Sequence, residues 1–274
     1  MITFRTEKVS ERITRIFGIC GELWYLMEGD DRAALLDSGS GIGRMKPLIG
    51  SLTDKPLIVL LTHGHVDHAM GATEFDCPIY MNAADDFLYE EHKSFSVRMG
   101  DGAFKPDGFE QNDLIPFRTE PFRPLNHGDV FDLGGVTVEA FSCVGHTPGS
   151  MVFLLREERT LLLGDACNYF TFLFFDYCSA VETYRRNLLV LKQQLEGKVD
   201  RILLSHGDGN APLAILDGVI GVCDDILAGN VDNVPYVFMG EPAVIAKAMN
   251  ETGRTDGGIG NIVYQTDRIF EGQP

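Results

Sequence analysis

Between Thr62 and His68 the chain reads Thr-His-Gly-His-Val-Asp-His, so three of its seven histidines lie within six residues, with a carboxylate among them. The run just upstream, Pro56 to Leu61, is short, apolar and entered through a proline, the pattern of a buried strand. The cluster therefore stands where a strand stops. Imidazole nitrogens and a carboxylate oxygen are donors that zinc, iron and manganese accept. Two histidines two apart, followed by Asp-His, bring four donors into one small volume only if the backbone folds back tightly. Gly64 is expected to supply that freedom.

Three further candidates follow the same placement. His146 lies in Val144-Gly145-His146-Thr147-Pro148-Gly149-Ser150. Asp165 follows the apolar run Leu161 to Leu163, and His206 follows Ile202 to Leu204. Each stands where an apolar run ends or a glycine-rich turn begins. Such placement suits a site whose scaffold is rigid and whose loops carry the reactive groups.

With these motifs in order, HxHxDH, GHTPGS, Gly-Asp and a late His-Gly, the chain resembles the metallo-β-lactamase-fold hydrolase superfamily over about residues 12 to 230. The resemblance implies an α+β fold, an αββα sandwich of two mixed β-sheets flanked by helices. It implies one metal held by His63, His65 and His146, and a second held by Asp67, His68 and His206, with Asp165 bridging them. Asp37, in Leu35-Leu36-Asp37-Ser38-Gly39, matches an aspartate that supports the site from behind. Two positions depart from the family pattern. Cys143-Val144 stands where Thr-Pro is usual before the Gly-His, and Asp165 occupies a site at which several true β-lactamases use cysteine. The second departure points to the glyoxalase II and lactonase-like branch, with phosphodiesterases beside it.

Composition narrows the partners. Forty acidic against 23 basic residues leave a net charge of −17. An acidic surface repels polyphosphate, and no Lys/Arg cluster opposes it beyond Arg185-Arg186 in a helical stretch, so nucleic acid is not expected as a partner. The six cysteines are scattered without a C-x-x-C pair, as reduced thiols are. Cys167, two residues after Asp165, reads as a small core residue rather than a ligand. No apolar stretch approaches a membrane span, and the first ten residues lack a signal core, so the expectation is a cytoplasmic protein acting on a small molecule, with a homodimer allowed for.

The rest of the chain divides as follows. Ile13 to Ile19, Leu23 to Met27 and Ala33 to Leu36 read as three antiparallel strands. Gly39 to Gly43 is glycine-rich but lacks a phosphate loop's Gly-Lys-Ser/Thr ending, and it leads into a helix over Arg44 to Leu52. After the histidine cluster come a short helix over Ala69 to Phe75, a strand over Pro78 to Met81 and a helix over Ala83 to His92. Residues 94–123 lose periodicity and read as an insertion, either a lid or pocket wall with Phe95, Phe104, Phe109 and Phe117 turned inward or a loop packed on itself. His92 and His127 read as a surface and a turn residue. Val136 to Phe141, Met151 to Leu155 and Thr160 to Leu163 form a second strand group, followed by helices over Ala180 to Leu195 and Pro212 to Ala228 around a strand at Ile202 to Leu204. Residues 1–230 are read as one catalytic domain. Residues 231–274 are read as an extension packed on it, with a helix over Pro242 to Met249 and a strand over Asn261 to Tyr264.

Two cations a few ångströms apart share a water and lower its pKa, so the resemblance predicts a dinuclear hydrolase whose bridging hydroxide attacks a carbonyl or phosphoryl centre. Zinc is the expected metal, with iron or manganese as alternatives. No G-x-S-x-G motif supplies a serine nucleophile. Asp67 and Asp37 are read as catalytic carboxylates, Asp37 by orienting a ligand histidine through its second ring nitrogen. Tyr169, in the aromatic run Asn168 to Phe175, is read as a donor to a substrate oxygen. That run is either an acyl pocket, which favours a small ester, thioester or lactone, or a packing surface. The alternatives are a mononuclear iron oxidoreductase resembling persulfide dioxygenases and, second, a phosphodiesterase. A flavodiiron pattern is excluded because His65 stands where that group has glutamate.

Overall fold

The computed structural model describes residues 2–98 and 109–272. Four strands open it: β1 (Arg5–Lys8), β2 (Ile13–Phe17), β3 (Leu23–Glu28) and β4 (Ala33–Leu36), each antiparallel to the last. After helix α1 (Lys46–Leu52), strand β5 (Leu57–Leu60) pairs with β4 in parallel, and β6 (Ile79–Met81) and β7 (Arg123–Pro124) continue that direction. Between β5 and β7 lie α2 (Val66–Ala69), α3 (Asp86–His92) and α4 (Phe95–Arg98). The expected helix over Ala69 to Phe75 is displaced. A single turn begins earlier, at Val66, and only Ala72–Glu74 forms a 3₁₀ turn beyond it. The earlier start places Asp67 and His68 on helical backbone, one residue apart from the extended His65.

A second mixed sheet is built from β8 (Val130–Asp132), β9 (Thr137–Ser142), β10 (Met151–Leu155) and β11 (Thr160–Leu162). The chain then leaves through β12 (Thr171–Leu173) and helix α5 (Val181–Gln194), and re-enters with β13 (Arg201–Leu203), parallel to β11, and the edge strand β14 (Asn210–Ala211). Helix α6 (Ile215–Ala228) follows.

Apolar side chains from the facing sides of the two sheets fill the space between them, among them Tyr25, Leu36 and Leu60 from the first and Val138, Phe153 and Leu203 from the second. The outer face of the first sheet packs Trp24, Leu35 and Val59 on α1 and on α2 through Ile49 and Ala69. The outer face of the second packs Val152 and Leu161 on α5 and α6 through Leu188 and Val219. These four layers are the expected αββα sandwich. Cys167 is buried in that last cluster. No helix among the described residues is long and apolar enough to cross a membrane.

The C-terminal segment differs from its expected helix. Strands β15 (Val234–Phe238), β16 (Glu241–Ile245) and β19 (Ile262–Tyr264) join β12 in a four-stranded sheet, and β17 (Met249–Asn250) and β18 (Gly253–Arg254) make a small hairpin. Residues 242–249 are therefore strand and bend rather than helix. Val244 and Ile245 pair with Tyr264 and Val263, and that non-local pairing outweighs the helix preference of the alanines around them.

The loop after β13 is held from the opposite sheet. Tyr25 donates to the carbonyl of Leu204 at 2.5 Å, and Arg15 donates to the Gly209 carbonyl and to Asn210 Oδ1 at 3.1 and 2.8 Å. Gly209 has a φ of +75°, and a Cβ there would meet the Arg15 guanidinium, which accounts for the glycine. Tyr25→Phe is expected to lower stability by roughly 1–2 kcal/mol, since it strips a buried carbonyl of its donor while keeping the ring. Urea unfolding measures it, and a change below about 0.3 kcal/mol would mean that the bond contributes nothing net.

Candidate metal centre

Every sequence-selected donor lies at one end of the sandwich, just past a strand. Asp37 follows β4, His63 to His68 follow β5, His146 lies between β9 and β10, Asp165 follows β11, and His206 follows β13. Three overlapping groups result: His63, His65 and His146; His63, His68 and Asp165; and Asp67, His68 and His206. Within each, the donor atoms lie within 4.8 Å of one another. The layers contribute unequally, the first sheet supplying the HxHxDH loop and the second supplying His146, Asp165 and His206.

The hydrogen bonds behind the first group orient its rings and bare the inner nitrogens of His146 and His63. His146 Nδ1 donates to the carbonyl of Phe172 at 2.9 Å, leaving Nε2 without a proton when the ring is neutral. The Thr62 hydroxyl gives its proton to Asp37 and so accepts from His63 Nδ1 at 2.9 Å, which bares His63 Nε2. His65 Nε2 contacts the Tyr177 hydroxyl at 2.8 Å. The remaining nitrogens then face one another: His65 Nδ1 lies 3.0 Å from His63 Nε2 and 3.0 Å from His146 Nε2. Burial, reinforced by the neighbouring imidazoles, holds the pKa values of His63 and His65 well below the usual histidine value. Three imidazole nitrogens gathered within 4.8 Å of one another, with burial keeping His63 and His65 from taking a proton, fit a cation.

The second group is anionic as well as imidazole. His206 Nε2 is 3.1 Å from Asp165 Oδ2 and 3.4 Å from Asp67 Oδ2, while His68 Nε2 is 3.6 Å from each of those oxygens. Burial opposes charge on both rings, but the carboxylates outweigh it. His68 is raised well above its usual pKa and His206 to about 9. Burial likewise opposes charge on Asp165, and His206 and His68 override it, holding the carboxyl well below its usual range. Among the described residues, His68 Nε2 and Asp165 Oδ1 are buried with no hydrogen-bond partner. Orphaned donors in a cluster of opposite charges are what a cation that displaces protons would satisfy.

Asp37 sits behind this group. It takes a left-handed backbone, φ 61°, a conformation in which aspartate is enriched among non-glycine residues. Its carboxylate accepts from Thr62 N at 2.7 Å and from His68 Nδ1 at 2.8 Å, fixing the ring's outer nitrogen and turning Nε2 into the cluster.

Asp85 was not singled out by sequence reasoning. It is fully buried before α3 and accepts from Gly64 N at 3.0 Å, Gly149 N at 2.6 Å and Thr147 Oγ1 at 2.7 Å. One carboxylate thus ties the HxHxDH loop to the GHTPGS loop. Burial raises its pKa against the pull of those donors. It also corrects the expected role of Gly64, whose φ is not positive. A Cβ at residue 64 would lie 2.7 Å from the Asp85 carbonyl oxygen, so the glycine is required by close approach rather than by turn geometry. An isolated Asp in Ala-Ala-Asp-Asp carries no signal of this.

His92 is not the surface residue expected. It is half-buried, its ring 5.5 Å from that of His65, and burial lowers its pKa. His127 stays in a turn and accepts from Ser142 N at 3.2 Å. A cavity of about 730 Å³ opens over the donors, and Tyr169, 45% exposed, stands on its wall. Residues 94–123 contribute Val97 and Arg98 to that wall. Phe109 packs with Ile42 and Leu114, Phe95 sits against that small cluster, and Phe117 is exposed. Phe104 lies outside the described residues.

The model of the metallo-beta-lactamase superfamily matches residues 18–206. Hydroxyacylglutathione hydrolase GloC of Haemophilus influenzae is 28% identical over 201 residues, covering 69% of this chain and 84% of that protein. An uncharacterized protein of Mycobacterium bovis is 34% identical over 134 residues, 46% of this chain and 55% of that one. Among solved structures, a metallo-beta-lactamase from Pontibacter korlensis aligns at TM-score 0.56 and 18% identity over 80% of this chain and 98% of its own. The sec-alkylsulfatase Pisa1 from Pseudomonas sp. aligns at TM-score 0.61 and 14% identity over 82% of this chain and 43% of its own. At these identities the structures speak for the fold alone. Together with the family match over most of its length, they show that the chain belongs to the metallo-beta-lactamase superfamily.

Proposed function

We propose that the protein is a hydrolase using two divalent cations, zinc first among them, on a small ester, thioester or lactone. The observation that carries this reading is the pair of donor groups: imidazoles converging from His63, His65 and His146, and a carboxylate-bearing set of Asp67, His68 and His206, with Asp165 beside both. Cations bound there supply Lewis acidity and make water a stronger acid. The chain's own residues do the rest. Asp165 faces both groups, its Oδ2 lying 3.9 Å from His146 Nε2 and 3.1 Å from His206 Nε2, and its carboxylate would help to hold a cation in either. Asp67 is the carboxylate assigned to take a proton from the attacking water. Asp37 and Tyr177 orient His68 and His65 from behind, and Tyr169, on the cavity wall, is assigned as a donor to a substrate oxygen. The aromatic wall receives the acyl part and excludes water.

Metal count and oxygen uptake separate this reading from the one-iron oxidoreductase, which retains similar ligands, and the apolar wall argues against a phosphodiester. The deciding experiment strips the protein with a chelator, reloads it with zinc, manganese or iron, and assays thioesters, lactones, β-lactams and phosphodiesters alongside elemental analysis. Two ions per chain with ester, thioester or lactone turnover is the expected result. One iron per chain with oxygen uptake would replace the reading.

Asp37→Asn tests the supporting role. Losing the charged partner of His68 is expected to weaken cation retention about 10–100-fold in competition with a chelator, with the fold kept. Unchanged retention would show that His68 needs no such partner.

A further inference from the structure

The cavity over the donors is unusual in what charges it offers a substrate. Away from the donors its wall is largely aromatic and thioether: Phe170, Phe172, Phe175 and Tyr177 from the segment after Asp165, and Phe238 and Met239 from the C-terminal sheet. Phe172 packs against Phe238 with ring centroids 4.9 Å apart, and Phe175 stacks on Tyr177 at 5.3 Å, so the wall is one continuous surface drawn from two distant segments. Among the described lining residues the only lysine or arginine is Arg98. That guanidinium is 6% exposed and already committed. Nε and Nη2 donate to the Ser40 carbonyl, Nη2 also to the Gly41 carbonyl, and Nη1 to the Ile115 carbonyl at 2.6 Å. It fastens the 94–123 segment to the glycine-rich loop and has almost nothing left for a ligand. The other charged side chains beyond the donors, Glu91 and Glu241, are both acidic and exposed at the cavity.

From this we infer that the site selects an uncharged, apolar acyl substrate, one with an aromatic or branched acyl group on a neutral leaving group, and discriminates against thioesters whose leaving group carries carboxylates, such as glutathione. The inference rests on the hydrolase reading. Among the described residues of the wall a carboxylated leaving group would meet no free lysine or arginine, and Glu91 and Glu241 would repel it. An aromatic acyl group gains from burial against Phe172 and Phe238. The volume, about 730 Å³, suits a drug-sized molecule, so the selection acts through charge and polarity rather than size.

The test compares two thioesters of phenylacetic acid on the zinc-loaded protein, one with N-acetylcysteamine and one with glutathione, which share the reacting bond and differ in leaving-group charge. The neutral thioester is expected to have at least tenfold higher kcat/KM. Glu241→Lys, an exposed position, is expected to raise kcat/KM for the glutathione thioester severalfold relative to the neutral one. Phe238→Ala is expected to raise KM for the phenylacetyl thioester at least fivefold more than it raises that of the acetyl thioester. Equal or better turnover of the glutathione thioester overturns the inference and leaves the hydrolase reading standing. Absence of turnover of any thioester, lactone or ester by the loaded protein overturns both.

Discussion

His65→Ala is expected to leave a folded protein whose hydrolytic kcat/KM has fallen about 10³-fold, the scale on which removal of one charge-stabilising group in an active site is felt. His65 Nδ1 is the atom on which the first group converges, 3.0 Å from both His63 Nε2 and His146 Nε2, so its loss leaves two imidazoles where three met. The side chain makes no contribution to the packed layers between and outside the sheets, and the fold should persist. Stripping the wild-type protein with a chelator should produce the same loss, reversed by zinc. Turnover on the ester, thioester and lactone panel, metal content and far-ultraviolet circular dichroism are read together. Activity that survives both the variant and the chelator would remove the metal from the chemistry altogether.

Asp85→Ala is expected to do damage of another kind. It deprives Gly64 N and Gly149 N of their acceptor inside the protein and leaves Thr147 Oγ1 only Ser150 Oγ, and residue 85 has 0% exposure to water. Each buried donor left unpaired costs about 1–3 kcal/mol. The two donor-bearing loops would then part, so cation retention and turnover should fall together with the unfolding midpoint. Asp85→Asn separates the effects. Its one carbonyl oxygen still accepts while its amide now faces a donor, so it should retain the fold better than alanine and bind cations less tightly than the wild type. If alanine at this position left both midpoint and metal content unchanged, the carboxylate would not be the tie that the geometry makes it.

The donors themselves were legible because each follows a strand of recognisable pattern. Leu57 to Leu60, Leu161 to Leu162 and Ile202 to Leu203 are apolar runs too short for helices, and the polar residue after each has only one place to go, the end of a sheet. Most strand and helix positions of the sandwich follow from the same contrast between short apolar runs and longer amphipathic stretches. What escaped was set by contacts between segments far apart in the chain. Asp85 acts on residues 21 and 64 positions away. Tyr177 lies beyond the tyrosine that the run after Asp165 drew attention to, because β12 carries the chain across the cavity before a turn returns it to His65. Val244 and Ile245 became strand through partners near residue 264. No local pattern encodes such pairings.

The donor groups are assembled from both sheets, and this has a mechanical consequence. An ion seated among His63, His65 and His146 would rivet one layer to the other, and it could not be held once the layers slid or separated. Occupancy would then raise the free energy of parting them by about 4 kcal/mol when free ion stands a thousandfold above its dissociation constant. Ion release during a slow thermal ramp would therefore coincide with delamination of the two halves rather than precede it.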